Sequence, residues 1–476
     1  RTSPKIAAMA RLSPIRTMYL AGVALLALPV LPHLDDLFRL TYSFQDSYLG
    51  GAPDPPAWLR LADFLWVGLG LAGLLAVHRR VGAAWPAWTV AVAAVAFALV
   101  PPFGSYDAVF YFRMAERWAG GVNPYAVPFS VFNPFLGGGL AATVDYLPYP
   151  PLWVIVCGTL HRLAGGHLLG FFLLLKLLMG ACHAGNFFIL RRLLTGRPAG
   201  DAAAWAYLAH PLLLLEGLSM MHFDLFWLLG CLAAAWQLRQ GRWWPAVLAW
   251  TAAFWIKYSA VFALPLFLPA LCDAVQPLPR RLARMAGGAA IVLAAGIAAS
   301  QPFGRLPELL VGVIHQAGWT ANSILLATRN ILPGTANHTG WIRAALGLAA
   351  LALLLAVRPK PDPRTHDGAA AWVVLALLAY LLLVSPVFWP WYAIWPLVIS
   401  LLLTDTRWAW LERVAGVFAA TAFLYYPLLF IVGQIRFRHD PVMEALYALL
   451  AHVPALAVMV AGLRDHARGR TLRWPA

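Results

Sequence analysis

Apolar residues in this chain come in runs of 13 to 23, separated by short polar breaks, and this spacing decides the fold class before any motif is read. Crossing a hydrocarbon core of about 30 Å takes about 20 mostly apolar helical residues. That length fits stretches near 17–34, 58–78, 84–102, 168–190, 202–217, 223–238 and 244–258. Further stretches lie near 259–273, 286–302, 340–357, 369–387, 391–403, 412–432 and 441–463. The pattern predicts an all-α, polytopic bundle of about 13–15 spans, forming one integral membrane domain over 1–476. The run 149–165 is shorter and ambiguous, either re-entrant, as the topology below requires, or a full crossing that would break its parity. Two polar intervals are too long to be simple connectors, 103–148 and 303–338, and unstructured loops beyond about 15 residues usually carry function. Within the first, Asp107 to Ala119 alternates as a short amphipathic helix, with Val109, Phe110, Met114 and Trp118 on a membrane-facing side and Arg113 and Glu116 toward water.

Composition agrees with this pattern. Hydrophobic residues make up 61% and charged residues 12% of 476, and the mean hydropathy is +0.71; a soluble domain carries about 25% charge. The formal charge of +15 would suggest nucleic acid in a soluble chain, but here the arginines sit in short runs between apolar segments. They read as topology signals and lipid contacts, not as a nucleic-acid surface. Placing Arg79-Arg80, Arg191-Arg192, Arg239 to Arg242, Arg280 to Arg284, Arg358 to Arg364, Arg407 to Arg413 and Arg464 to Arg473 inside puts 103–148, Gly217 to Asp224, 303–338 and Pro386 to Tyr392 together on the opposite face. The first sixteen residues are basic, start without Met, and are set aside from the fold reading. Cys157, Cys182, Cys231 and Cys272 lie in or at the ends of apolar runs and read as small buried hydrophobes.

The chemistry sits in those outward intervals. Asp107 follows an apolar run and precedes a Gly-, Pro- and Asn-rich loop, and a carboxylate where membrane meets water is a functional candidate. Lys176, Glu216, His222, Asp224 and Lys257 lie in or against apolar segments, so each must be paired or line a hydrated cavity. In Glu216-Gly-Leu-Ser-Met-Met-His-Phe-Asp224 one helix ends and another begins, and such breaks face water or protein. Carboxylates, a histidine and scattered cations suit transfer of a group from an anionic leaving group. There is no GxxxxGK[ST] loop, no strand-borne GxGxxG and no HExxH.

The order of short elements resembles the GT-C superfamily of integral membrane glycosyltransferases, in particular its polyprenyl-phosphate-sugar-dependent, mannosyltransferase-like branches. The elements are Ser105-Tyr-Asp-Ala-Val-Phe-Tyr-Phe112 after a span, Asn123-Pro-Tyr125 after Gly120-Gly121, and Tyr149-Pro-Pro-Leu152 leading into the next apolar run. His222-Phe-Asp224 preceded by Glu216, then Lys257-Tyr258, then Pro390-Trp391-Tyr392 complete the series. The resemblance implies Asp107 as catalytic base in an inverting attack on a sugar phosphoryl-polyprenol. It implies a substrate-binding group of Arg113, Asp145, Tyr149, His222, Asp224, Lys257, Tyr258, Arg329, Trp391 and Tyr392.

Each of these has a plainer reading. His222 and Asp224 could satisfy one another at the helix break, Lys257 could snorkel to headgroups, Arg113 could contact headgroups, Arg329 could be solvated, and Trp391 and Tyr392 could be belt aromatics. The mechanism requires no cofactor and is compatible with a divalent metal. Its partners are a polyprenyl-phosphate-linked sugar donor, a lipid or glycan acceptor and membrane lipids. The implied location is the plasma membrane with the active site on its outer face. The alternative is a transporter or flippase of a lipid-linked glycan, which would also use buried charges and broken helices.

Overall fold

The structure, a computed structural model, describes residues 107–128, 147–197, 200–271, 276–304, 320–331, 338–359, 367–426 and 441–469, with a few isolated positions besides. The expected spans at 17–34 and 58–78, most of 84–102, and the candidate Asp145 lie outside the described residues. Everything described is helix or connecting turn. The one strand-like contact is an isolated bridge between Ala321 and Val387, and the all-α expectation holds.

Among the described residues, five helices are long and apolar enough to cross a bilayer: Leu168–Leu194, Leu278–Ser300, Thr339–Val357, Asp367–Val384 and Pro441–Ala467, with a sixth if the bent pair Gly200–Ser219 and Asp224–Arg239 counts as one span. The other expected spans among the described residues are shorter. Residues 244–273 divide into α-helix Trp243–Ile256 and a 3-10 helix Tyr258–Phe267 with Pro265 inside it, and 391–403 becomes a 3-10 turn Pro390–Ala393 followed by Ile394–Ser400. Proline is the physical reason: it lacks the N–H that an α-helix needs and crowds the preceding turn. The run 149–165 contains the helix Pro151–Leu163, 13 residues, about 20 Å long and too short to cross.

We label the elements that frame the site α1 (Asp107–Ala119), α2 (Pro151–Leu163), α3 (Leu168–Leu194), α4 (Gly200–Leu208), α5 (Asp224–Arg239) and α6 (Trp243–Ile256). α1 takes the bounds that its amphipathic pattern predicts. Its Phe110 and Met114 are buried against protein, not laid on a membrane surface, while Glu116 stays exposed. α5 and α6 pack closely because Gly230 has no side chain: a Cβ there would lie 2.8 Å from the Ala249 carbonyl and 2.7 Å from the Ala253 methyl. On the outside, Leu278–Ser300 and Thr339–Val357 leave Leu282, Leu293, Leu348 and Leu351 uncovered, which suits a lipid-facing surface.

α4 and α5 meet at a sharp elbow. After α4 the chain passes through Pro211–Leu213 into a π-helical turn, Leu214–Ser219, and the two halves of the broken span cross at 119°. Two details close it. A Cβ on Gly217 would fall 2.1 Å from a Leu225 methyl, so only glycine lets α5 fold back here. Met221 takes a left-handed backbone with φ of 61°, a conformation costing an L residue about 1–2 kcal/mol. The Lys176 ammonium of α3 donates to the Leu218 carbonyl at 2.8 Å and reaches that of Ser219 at 3.4 Å, satisfying carbonyls that the broken helix exposes.

Candidate active site

The elbow and the first turn of α1 converge. Asp107 opens α1, where an anionic side chain complements the helix dipole, and one turn on the Tyr111 hydroxyl donates to its Oδ2 at 3.3 Å. From the elbow, His222 brings Nε2 to 3.6 Å from the same oxygen. Its Nδ1 lies 2.9 Å from Glu216 Oε2, and the Tyr426 hydroxyl donates to Glu216 Oε1 at 2.5 Å. The π turn makes this geometry. By lengthening the backbone loop so that the His222 N–H bonds the Glu216 carbonyl at 2.9 Å, it turns two side chains six residues apart toward each other. His222 and Glu216 are fully buried, whereas the Asp107 side chain keeps 26% of its surface open. Asp107 is therefore the exposed end of a chain of polar groups running inward.

Asp224 heads α5 beside this chain but belongs to a second set. Its Oδ1 accepts from the Lys257 ammonium at 2.7 Å and from the Trp395 indole at 2.5 Å, and its buried Oδ2 has no hydrogen-bond partner among the described residues. The ammonium is walled by rings, 4.6 Å from the centre of Phe223 and 4.8 Å from those of Tyr392 and Trp395, a cation–π enclosure that holds its position. Lys257 is the residue at which α6 stops; its extended backbone, φ −154° and ψ 119°, turns the side chain out of the helical run.

Aromatic residues form a buried collar beside Asp107. Tyr111 meets Tyr149 at 5.7 Å, Trp153 at 5.1 Å and Phe223 at 5.8 Å, all edge-on, and Trp153 stacks on Phe223 at 4.7 Å. The Asn-Pro-Tyr element ties the collar down. Asn123 Oδ1 accepts from the Tyr125 N–H at 3.0 Å in an Asx turn, Asn123 Nδ2 donates to the Phe303 carbonyl, and the Tyr125 hydroxyl donates to the Tyr149 carbonyl at 2.7 Å. Burial pushes the Tyr125 hydroxyl well above its usual pKa, so it stays a donor.

The structure thus brings together Asp107, Tyr149, His222, Asp224, Lys257, Trp391 and Tyr392. It separates the plain reading in which His222 and Asp224 pair: each has its own partner. Trp391 is 7% exposed and stacks on His222 with ring centres 3.8 Å apart, which fixes the imidazole plane; Trp389 stacks behind it at 5.4 Å. The Tyr258 hydroxyl is buried with no partner among the described residues, next to Phe254 and Trp255. Arg113 is half-buried on α1, about 120° around the helix from Asp107 at 3.6 residues per turn. Arg329 lies on the helix Ile324–Ile331, which packs against Pro441–Ala467. Tyr111, Trp153, Phe223, Trp395 and Tyr426 join the site although the sequence did not single them out, and Glu216 takes a central place in it. Tyr111 carried a readable signal, standing four residues after Asp107 on one helix face; Tyr426 is 210 positions from Glu216 and carried none.

The opposite end of α5 is basic. The Arg239 guanidinium donates to the Leu193 carbonyl, and Arg197 donates to the Leu402 carbonyl at 2.7 Å and lies 3.8 Å from Asp367. Arg191, Arg192, Thr195 and Arg197 share an open cleft there with Asp201. The 16 residues of α5 put this cluster about 24 Å from Asp224. Among the described residues no group of three or more His, Cys, Asp or Glu side chains is disposed to hold a metal ion.

Comparison with known proteins covers the same part of the chain. The sequence model of the MptA_B family, described as alpha-(1->6)-mannopyranosyltransferase, N-terminal domain, matches residues 42–273, a stretch containing α1 to α6, Asp107 and the elbow. Fold and match together support a GT-C mannosyltransferase-like, multi-pass membrane protein with glycosyltransferase activity. Among curated relatives, alpha-(1->6)-mannopyranosyltransferase A of Mycobacterium tuberculosis (strain ATCC 25618 / H37Rv) is 26% identical over 409 residues, covering 78% of each chain.

Proposed function

We propose that this protein transfers a mannosyl residue from a polyprenyl-phosphate donor to a hydroxyl of a lipid-linked or cell-envelope glycan, with Asp107 as general base. The observation that carries the reading is the Asp107 carboxylate itself: one oxygen is held by Tyr111 and faced by His222, and part of its surface is open beside a collar of packed aromatic rings. Aromatic walls suit the apolar face of a sugar ring, and a fixed carboxylate at their edge can take the proton of an attacking hydroxyl. The attacking oxygen bonds the anomeric carbon as the carbon–oxygen bond to phosphate breaks, and the electron pair leaves with the phosphate. A single displacement inverts the anomeric centre. If the product linkage is α-(1→6), as in the relative's name, the donor must be β-linked.

Lys257 pairs with Asp224 at 2.7 Å, and this is the charge that suits the departing phosphate. The unpartnered Asp224 Oδ2 suits a sugar hydroxyl as donor. The acid site and the arginine cluster occupy opposite ends of α5, and since basic loops stay in the cytoplasm, the site opens on the outer face of the plasma membrane. The test is transfer of labelled mannose from a polyprenyl phosphate in detergent or nanodiscs. Asp107→Asn should lower transfer by about 10²–10⁴-fold, the usual worth of a positioned base. Full transfer by the variant would remove the assigned role. Movement of lipid-linked glycan without any transfer by the wild-type protein would favour a flippase.

A further inference from the structure

The chain behind Asp107 does more than hold the base in place. Glu216 and His222 are each completely buried, and an acid and a base withdrawn from water are costly unless they satisfy one another. They could do so anywhere in the bundle; here they form a line that ends 3.6 Å from the partly open carboxylate of Asp107. The elbow that makes this line takes a left-handed Met221 and a glycine that its neighbour Leu225 would not tolerate replacing, and Trp391 stacks flat on the imidazole. With Glu216 ionised and Tyr426 donating to one of its oxygens, the other oxygen, 2.9 Å from His222 Nδ1, can accept from an Nδ1–H. That hydrogen bond fixes the tautomer and leaves the Nε2 lone pair facing Asp107.

We propose that Glu216 and His222 form a proton sink behind Asp107: the proton that Asp107 takes from the acceptor hydroxyl passes on to His222 Nε2, and the resulting imidazolium is held between the two carboxylates. The inference rests on Asp107 being the base. Atoms and charge balance within the step. The hydroxyl proton moves from the acceptor oxygen to Asp107 Oδ2 and from there to His222 Nε2, the acceptor oxygen bonds the anomeric carbon, and the phosphate leaves with the bonding pair. Asp107 returns to its carboxylate form before the products separate, so the proton cannot be handed back to the new glycosidic oxygen. His222 and Glu216 touch no substrate and are positioning residues.

Among the described residues, Glu216 faces the imidazole from the elbow, Asp107 from α1, and Trp391 covers its face; Lys257, paired with Asp224, is a cation that acts on it, and Tyr111 and Tyr426 bond its two acidic neighbours. In wild type, activity falls on the acid side when the Asp107–His222 pair already holds a proton, and such a limb belongs to the pair and not to one residue. Without the histidine only Asp107 itself can be blocked, which needs a lower pH.

The experiment compares kcat and KM against pH for wild type, His222→Gln, Glu216→Gln and Asp107→Asn, with polyprenyl-phosphate mannose as donor and a mannoside acceptor. His222→Gln should lower kcat at neutral pH by about 10- to 100-fold, leave both KM values within about twofold, and move the acid limb down by about one pH unit or more. Glu216→Gln keeps an oxygen for the Nδ1–H but loses the charge; it should lower kcat about tenfold and move the limb the same way. If either variant loses kcat with the limb unmoved while Asp107→Asn is inactive, the sink is wrong and the base assignment stands. Should Asp107→Asn remain active, the base assignment itself fails. Where His222→Gln proves unstable on heating, the near-isosteric Glu216→Gln decides alone.

Discussion

Removing the Lys257 charge would test the second polar set most sharply. Asp224 is 1% exposed and Lys257 14%, with 2.7 Å between ammonium and carboxylate. Lys257→Met keeps the aliphatic stem and most of the ring contacts but leaves a buried carboxylate with the Trp395 indole as its remaining donor among the described residues. Breaking a buried ion pair from one side costs about 3–5 kcal/mol, mostly the penalty on the stranded charge. Loss of the ammonium from its three rings adds about 0.5–2 kcal/mol. If the penalty is that of a stranded anion, neutralising it should recover most of the loss. Lys257→Met/Asp224→Asn should therefore regain about 2–4 kcal/mol over the single variant, since Asn keeps an oxygen for the indole. The assay is thermal or denaturant unfolding in one detergent, followed by intrinsic Trp fluorescence, for wild type, both single variants and the double. A single variant as stable as wild type, or a double variant no better than Lys257→Met alone, would refute the reasoning.

Three further outcomes follow from the same geometry. Tyr426→Phe removes the hydroxyl bonded to Glu216 and should cost about 1–2 kcal/mol in unfolding free energy, in the range for a hydrogen bond to a charged group, with kcat reduced and KM unchanged. Gly217→Val places branched carbons where Leu225 already lies; the elbow must open, and unfolding measurements should show a loss of about 1–3 kcal/mol together with a large drop in transfer. At the basic end, Asp405 is held below its usual pKa first by its side-chain bond to Arg407, so the stability it contributes is present above the ordinary carboxylate pKa and is lost as pH falls through the depressed folded value. Because Arg407 is 69% exposed, Asp405→Asn should cost less than about 1 kcal/mol at neutral pH, with the difference fading in acid melts.

Local order made part of this site readable. The Asp107 helix could be bounded because its amphipathic period is carried by residues within one stretch, and Asn123-Pro-Tyr125 and Tyr149-Pro-Pro-Leu152 announced anchored turns through their own turn chemistry. His222, Asp224 and Lys257 were visible as charges that an apolar environment must explain. Their pairing was not visible. Which carboxylate meets His222 depends on a π turn that nothing in Leu214–Ser219 requires by composition, and the Trp395 and Tyr426 partners arrive across 171 and 210 positions of sequence. Aromatics such as Trp391 read as interfacial from their place near a span end, whereas the fold turns that ring inward onto an imidazole. Span lengths misled for a similar reason: apolar content measures burial, and α6 with its following 3-10 helix is as apolar as a crossing helix without being one.

The length of α5 has its own consequence. With Asp224 at one end and Arg239 at the other, its 16 residues extend about 24 Å, less than the roughly 30 Å of an ordinary bilayer interior, and any tilt shortens the reach. On the proposed reading, a guanidinium at headgroup level of one leaflet leaves the carboxylates several ångströms beneath the other, so that an isoprenoid phosphate would have to be drawn down to meet them. Vesicles made from lipids with shorter acyl chains would lessen that descent, and turnover measured across a series of chain lengths should rise as the membrane thins.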